Sequence, residues 1–324
     1  IGVGKNDPSI NPFAALPSQV FTDFLDGPPP GGEKRNAKGE RTKSRVASQE
    51  SRVSGKGGGE CLRDSQLTLT HGGLAFRADA SLGVEGLPQS ATGQTTLLTG
   101  VNAAAAIGRH LNGFPSRKLR EILDEHSILK ELKEAGVKAA FINVFNPLFF
   151  EALEKKLPLR NSVTTVANLA AALPFFGIED IVKRRAVYQE FTNQMLIEKG
   201  FEVPPFSPRE AGEILAGSAA RYDFCLYEYF QSDAAGHAQG RLRAIEEVRK
   251  LDEFLLAVLD NCDFRETSII LSSDHGNLED LSTSQHTFNP VPVLLWGELA
   301  RNKPEVKSLL DVVPLIKTSF RIKG

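Results

Sequence analysis

Three short segments bring acids and imidazoles together. Asp233-Ala234-Ala235-Gly236-His237 sets an imidazole four residues after a carboxylate. Asp274-His275-Gly276 joins the two side-chain types directly, and His286-Thr287 stands just ahead of an apolar run. Carboxylate oxygens and neutral imidazole nitrogens are the donors that suit Zn²⁺ or Mn²⁺. Singly, each segment reads as a turn feature or a satisfied polar residue. Together they place three of the six histidines and two aspartates at apparent strand edges. His71, His110 and His126 show no comparable pattern. His126 falls in a helical stretch, and His110 follows Arg109, a pair suited to touching an anionic substrate.

A fourth segment runs from Gly86 to Gly100 and is rich in small and hydroxylated residues. It leads into a helix expected to continue through about Gly108, with Ser90 at or just before the first turn. The helix dipole and free N–H groups there favour negative charge, whether alkoxide or phosphate. The competing reading makes Ser90 only an N-cap. A serine hydroxyl is a poor nucleophile at neutral pH, and metal coordination is one way to activate it.

The segments 137–145, 224–230, 268–271 and 291–296 are largely apolar and predict strands of a parallel sheet covered on both faces. Between them, apolar residues recur at helical spacing over 118–135 and 239–259. This alternation predicts an α/β fold, in which ligands bind beyond the carboxyl ends of the strands. The acid–imidazole segments follow two of these strands directly. The His286 segment lies in a loop able to return to the same edge.

The 324 residues are 41% hydrophobic and 24% charged, with a formal net charge of -2. That balance excludes a wholly disordered chain, a collagen and a coiled-coil rod. It also lacks the basic field that nucleic-acid binding needs. No stretch approaches the roughly 18 apolar residues of a membrane helix. Cys61, Cys225 and Cys262 form no CxxC pair, which fits a reducing, cytoplasmic compartment, and no secretory signal is visible. Residues 27–60 are Pro-, Gly-, Ser- and Lys/Arg-rich, so they read as a disordered low-complexity insertion. A basic nucleic-acid arm is the rival reading, without interleaved aromatics to support it. Residues 1–26, 61–145 and 222–324 are assigned to one core domain. Residues 146–221, broken by Pro204-Pro205 and Pro208, are assigned to a small helical cap.

Ser90 with the helix through Gly100, then Asp233-x-x-Gly-His237, then Asp274-His275-Gly, then His286 ahead of a Pro-Val-Pro strand, resembles the alkaline phosphatase superfamily. The nearest branch is the metalloenzyme domain of cofactor-independent phosphoglycerate mutases and phosphopentomutases. The resemblance implies a three-layer αβα sandwich with a mostly parallel central sheet, and phosphoryl transfer to and from a small-molecule phosphoester with two divalent ions. It implies Asp233, His237 and His286 on one ion, Asp274 and His275 on the second, and Ser90 as the nucleophile between them. Gly100 lies ten positions after Ser90, as in the family, which favours Ser90 and leaves Thr92 as a minor alternative. The family also opens with an apolar strand ending in Asp-Gly, whose Asp binds the second ion. Here Ile1-Gly2-Val3-Gly4 stands where that segment has just ended, and Asp7 lies too far along to replace it. The implied second ion is then short of a ligand, and a central strand position is unfilled. Between Gly100 and Asp233 there is room for a small cap only. The expectation is therefore a phosphoester hydrolase, with a phosphomutase or a catalytically impaired metal-binding remnant as the alternatives.

Overall fold

The computed structural model describes residues 1–16, 18, 20–21, 67–157 and 160–322. The expected insertion at 27–60 and Cys61 lie outside them. The strands are β1 (Leu67–Thr68), β2 (Leu74–Ala78), β3 (Ala139–Phe141), β4 (Phe224–Leu226), β5 (Ile269–Ser272) and β6 (Val291–Trp296). The helices are α1 (Ser90–Thr99), α2 (Ala103–Ile107), α3 (Arg117–His126), α4 (Ile128–Glu134), α5 (Pro147–Glu154), α6 (Val163–Ala170) and α7 (Ile178–Val182). There follow α8 (Gln194–Glu198), α9 (Pro208–Ala219), α10 (Gln231–Ala238), α11 (Arg241–Asp260), α12 (Glu298–Arg301) and α13 (Val312–Ser319).

The strands form two sheets among the described residues, one ordered β1-β2-β6-β5 and one of β3 and β4. Only the β3–β4 pair is parallel; the three pairings of the larger sheet are antiparallel. The expectation of a mostly parallel sheet is corrected accordingly. The cause is the connections: residues 69–73 and 273–290 contain no α-helix, and a parallel return needs a long crossover, usually helical. The antiparallel β5–β6 pair sets the carboxyl end of β5 beside the start of β6. Asp274, His275 and His286 therefore emerge at one edge.

Side chains alternate along the strands between two apolar clusters. Cys225, Ile269, Leu271, Leu294 and Trp296 join one with Phe191 and Phe254. Phe224, Leu226, Ile270, Val293 and Leu295 join the other with Leu119, Leu123, Leu129 and Leu132. Helix α9 packs along α11, and α6 packs on α3 and α4. The stretch expected as one helix over 118–135 is two, because Ser127 (ψ 125°) turns the chain between α3 and α4. The strand expected over 224–230 stops at Leu226. Beyond it, the Asn143 amide takes over the pairing, donating from Nδ2 to Glu228 O (2.8 Å) and accepting Glu228 N–H at Oδ1 (2.9 Å).

Helix α1 is buried although it is rich in threonine. The hydroxyls of Thr95, Thr96 and Thr99 donate to the carbonyls of Ala91, Thr92 and Thr95, so no polar group is stranded there. The helix ends at Thr99 rather than near Gly108. Gly100 adopts φ 70°, and the Asn102 side chain caps α2. Gly93 lets α1 press on the loop after β5: a Cβ there would lie 2.5 Å from Asp274 O. Gly217 in α9 has open space in that direction. Gly93→Ala is expected to destabilise the fold by about 1–3 kcal/mol through overpacking, and Gly217→Ala to stabilise it by about 0.5–1 kcal/mol. Urea unfolding of the two variants checks both signs.

Candidate metal centre

Helix α10 carries Asp233 and His237 one turn apart, so both side chains leave the same face. The expectation placed them directly after a strand over 224–230; they stand on a helix that begins five residues after β4 ends. Asp233 Oδ1 is the hub of the site. The Nε2 atoms of His237, His286 and His275 lie 3.5, 3.7 and 3.9 Å from it. His275 Nε2 is also 3.5 Å from Asp274 Oδ2. The imidazoles of His275 and His286 stack with centroids 3.6 Å apart and planes 12° apart. His275 and His286 are buried, while Asp233 is partly open to solvent.

The outward nitrogens show how the rings are protonated. His286 Nδ1 meets Pro88 O at 2.8 Å, and His237 Nδ1 meets Ser284 O at 2.8 Å. A carbonyl only accepts, so each Nδ1 carries the proton and donates it. In a neutral ring, Nε2 then holds a lone pair. Those two Nε2 atoms lie 3.2 Å apart. Two lone pairs at that distance repel unless a cation or a proton sits between them. Tetrahedral zinc ligands at about 2.0–2.1 Å are themselves about 3.3 Å apart. Burial, with the neighbouring His275, pushes the His286 imidazolium below its ordinary range and favours the neutral ring. Burial alone would raise the Asp233 carboxyl, but the Asn277 hydrogen bond and the three imidazoles outweigh it and hold it low. The donor set fits a divalent cation, with Asp233, His275 and His286 offering ligand atoms within 4.8 Å of one another and His237 beside them.

The remaining residues singled out in the sequence fall nearby or elsewhere. Ser90 opens α1, but Gln89 is the N-cap position, so Ser90 is not a capping residue. Its hydroxyl donates to Asn112 Oδ1 (2.8 Å) and accepts Gly113 N–H (3.1 Å). One turn on, Gln94 Nε2 donates to Asp274 Oδ2 (3.1 Å), and Pro88, two residues back, holds His286. Thr92 is fully buried, with its hydroxyl tied to Gln89 O and Leu111 N–H, which removes it as a nucleophile. Arg109 and His110 share an open cleft of ≈ 410 Å³ with Gln89, Asn112, His237 and His286. His71 pairs with Asp260 and His126 lies beside Glu125, both outside the cluster. Asp7 serves a local turn, accepting Ser9 N–H at 2.9 Å.

Sequence reasoning missed Asn277 and Glu279, whose one signal was adjacency to Asp274-His275-Gly276. It also missed the carbonyls of Pro88 and Ser284, since a backbone acceptor leaves no mark in residue type.

Residues 197–323 match the Metalloenzyme superfamily. All five acid and imidazole residues of the centre lie inside the matched stretch, and Ser90 lies before it. The chain is similar to the 2,3-bisphosphoglycerate-independent phosphoglycerate mutase of Desulforudis audaxviator, at 33% identity over 120 residues, covering 35% of this chain and 24% of that protein. It is similar to the protein of the same description from Pyrococcus abyssi, at 24% identity over 255 residues, covering 69% of this chain and 58% of that protein. The chain thus spans between about a quarter and three fifths of these relatives. Among solved structures, the alkaline phosphatase from the Antarctic bacterium TAB5 aligns at 16% identity with a TM-score of 0.47, covering 77% of this chain and 89% of that one. Among the described residues, no helix is long and apolar enough to cross a membrane.

Close to the centre, Glu228 accepts the Thr164 hydroxyl. Burial pushes its carboxyl up to about 8; the Thr164 hydrogen bond pulls the other way, and the charge of Asp274 adds to the rise. The native state therefore keeps a proton that the unfolded chain releases above its ordinary value of 4.5. Stability then falls as pH rises between these two values, by at most about 1.4 kcal/mol per pH unit, and levels off above the upper one. Glu228→Gln, which keeps an acceptor for Thr164, is expected to flatten that slope and to be the more stable protein at the alkaline end. Thermal melts of metal-free protein across the window test it.

Proposed function

We propose that this chain is a metal-dependent phosphoryl-transfer domain acting on a small phosphoester, with Ser90 as the nucleophile. The observation that carries the reading is the pair of facing Nε2 lone pairs, 3.2 Å apart, beside the Asp233 carboxylate. The similarity to phosphoglycerate mutases supports the reaction class. The two apolar clusters on opposite faces of the strands support a three-layer αβα arrangement.

Asp233, His237 and His286 would hold one ion, and Asp274 and His275 a second, Zn²⁺ or Mn²⁺. When bound, such ions lower the pKa of a hydroxyl and neutralise charge on a phosphoryl group. The chain's own residues do the rest. The amino end of α1 favours an anion beside Ser90, although the Thr92 N–H is already given to Leu111 O. Asn112 and Gly113 fix the hydroxyl through the two hydrogen bonds it makes. Ser90 Oγ bonds to phosphorus as the ester P–O bond breaks, and the serine proton leaves with the alcohol. Water then attacks the seryl-phosphate, frees phosphate and restores the hydroxyl. Arg109 and His110, across the cleft, suit an anionic part of the substrate.

Hydrolysis is favoured because the cleft is open and water reaches it. A mutase reading rests on the names of the curated relatives and requires a cap that excludes water. Within 146–221 the candidate cap narrows to α5, which follows β3 closely and leaves Leu148 and Leu153 exposed, whereas α6 and α9 pack into the two apolar clusters. With Mn²⁺ or Zn²⁺ supplied, the chain is expected to release inorganic phosphate from a phosphomonoester. Ser90→Ala is expected to lower kcat by roughly 10³-fold or more. Full activity in that variant removes the covalent step. An isomerised phosphoglycerate without free phosphate establishes the mutase reading instead. No bound ion after reconstitution leaves a remnant.

A further inference from the structure

Glu279 is 1% exposed, and four hydrogen bonds end on its carboxylate. Oε2 accepts N–H groups from Gly2 (2.6 Å) and Asn277 (2.8 Å). Oε1 accepts the Thr287 hydroxyl and Asn289 Nδ2 (3.1 Å). The two oxygens therefore grip different limbs of the 273–290 loop. One limb carries His275, two residues before Asn277; the other carries His286, next to Thr287. The limbs also share a backbone bond from Thr287 N–H to Gly276 O (3.1 Å).

Asn277 extends this grip to the third element. It is 1% exposed, and its Nδ2 donates to Asp233 Oδ1 at 2.7 Å, the same oxygen that faces the three imidazoles. Gly236 on α10 makes room for it, since a Cβ there would overlap Asn277 Oδ1. A buried carboxylate is costly unless its lone pairs are filled, and here donors fill both oxygens. Glutamine cannot replace it: its NH₂ would face either the two backbone N–H groups or the Thr287 and Asn289 donors.

We propose that Glu279 and Asn277 are positioning residues of the cation centre. Glu279 latches the His275 limb to the His286 limb, and Asn277 aims the Asp233 oxygen at the space between them. The proposal rests on the metal reading given above. It places part of the cation affinity in residues that are not ligands.

The test titrates the metal-stripped full chain with Mn²⁺ and with Zn²⁺ in competition with a chromophoric chelator. Glu279→Gln and Thr287→Val are expected to weaken binding about 10- to 100-fold, the range found for outer partners of metal ligands. Thr287→Ser, which restores the hydroxyl, is expected to return affinity to within about twofold of wild type. Side-chain ¹⁵N spectra of the metal-free protein are expected to show His286 protonated on Nδ1, and Thr287→Val to disturb that signal. Should Glu279→Gln not fold, the Thr287 pair decides alone. Wild-type affinity in Thr287→Val, with binding lost in His286→Ala, overturns the latch and leaves the metal reading intact. A wild-type chain that binds neither ion overturns both.

Discussion

The site depends on where two protons are kept. Pro88 O and Ser284 O each take an Nδ1–H, and that choice turns the opposite nitrogens of His286 and His237 inward as bare lone pairs. Protein groups rarely leave such acceptors facing one another, because the repulsion has no local remedy. The geometry therefore specifies a positive charge, and Asp233 supplies the counter-charge that makes one divalent ion a better fit than a proton. Hydrogen bonds to the backbone thus do as much to define the centre as the ligands do.

The candidate ligands were legible because their chemistry is in the side chain. Asp233, His237, Asp274, His275 and His286 were found from residue type and from their relation to apolar runs, and the structure gathers all five. Ser90 was legible as the start of a helix, but its hydrogen bonds to Asn112 and Gly113 were not, since they depend on a loop folding back. Asn277 and Glu279, marked only by their nearness to Asp274-His275-Gly276, were missed for a different reason. A buried amide and a buried carboxylate look like surface residues until their donors and acceptors are known.

The fold was less legible than the site. The apolar runs at 268–271 and 291–296 correctly announced strands, but apolar continuity says only that both faces are covered. Direction is set by the connection, and the helix-free 273–290 segment makes the β5–β6 pair antiparallel. That reversal costs the site nothing, because it brings the end of one strand beside the start of the next. The strand after 224 was overestimated for a similar reason. The Asn143 side chain mimics a neighbouring strand, a substitution that residue patterns cannot reveal.

The link between Pro88 and His286 has one more consequence. Pro88 lies two residues before Ser90, so the carbonyl that locks the imidazole tautomer belongs to the same segment as the proposed nucleophile. If residues 86–90 lift away, the ring loses its acceptor, is free to exchange tautomers, and can turn an N–H toward the ion. The seating of the 86–90 segment and the affinity for an ion are therefore coupled through one hydrogen bond, so a change at either is felt at the other.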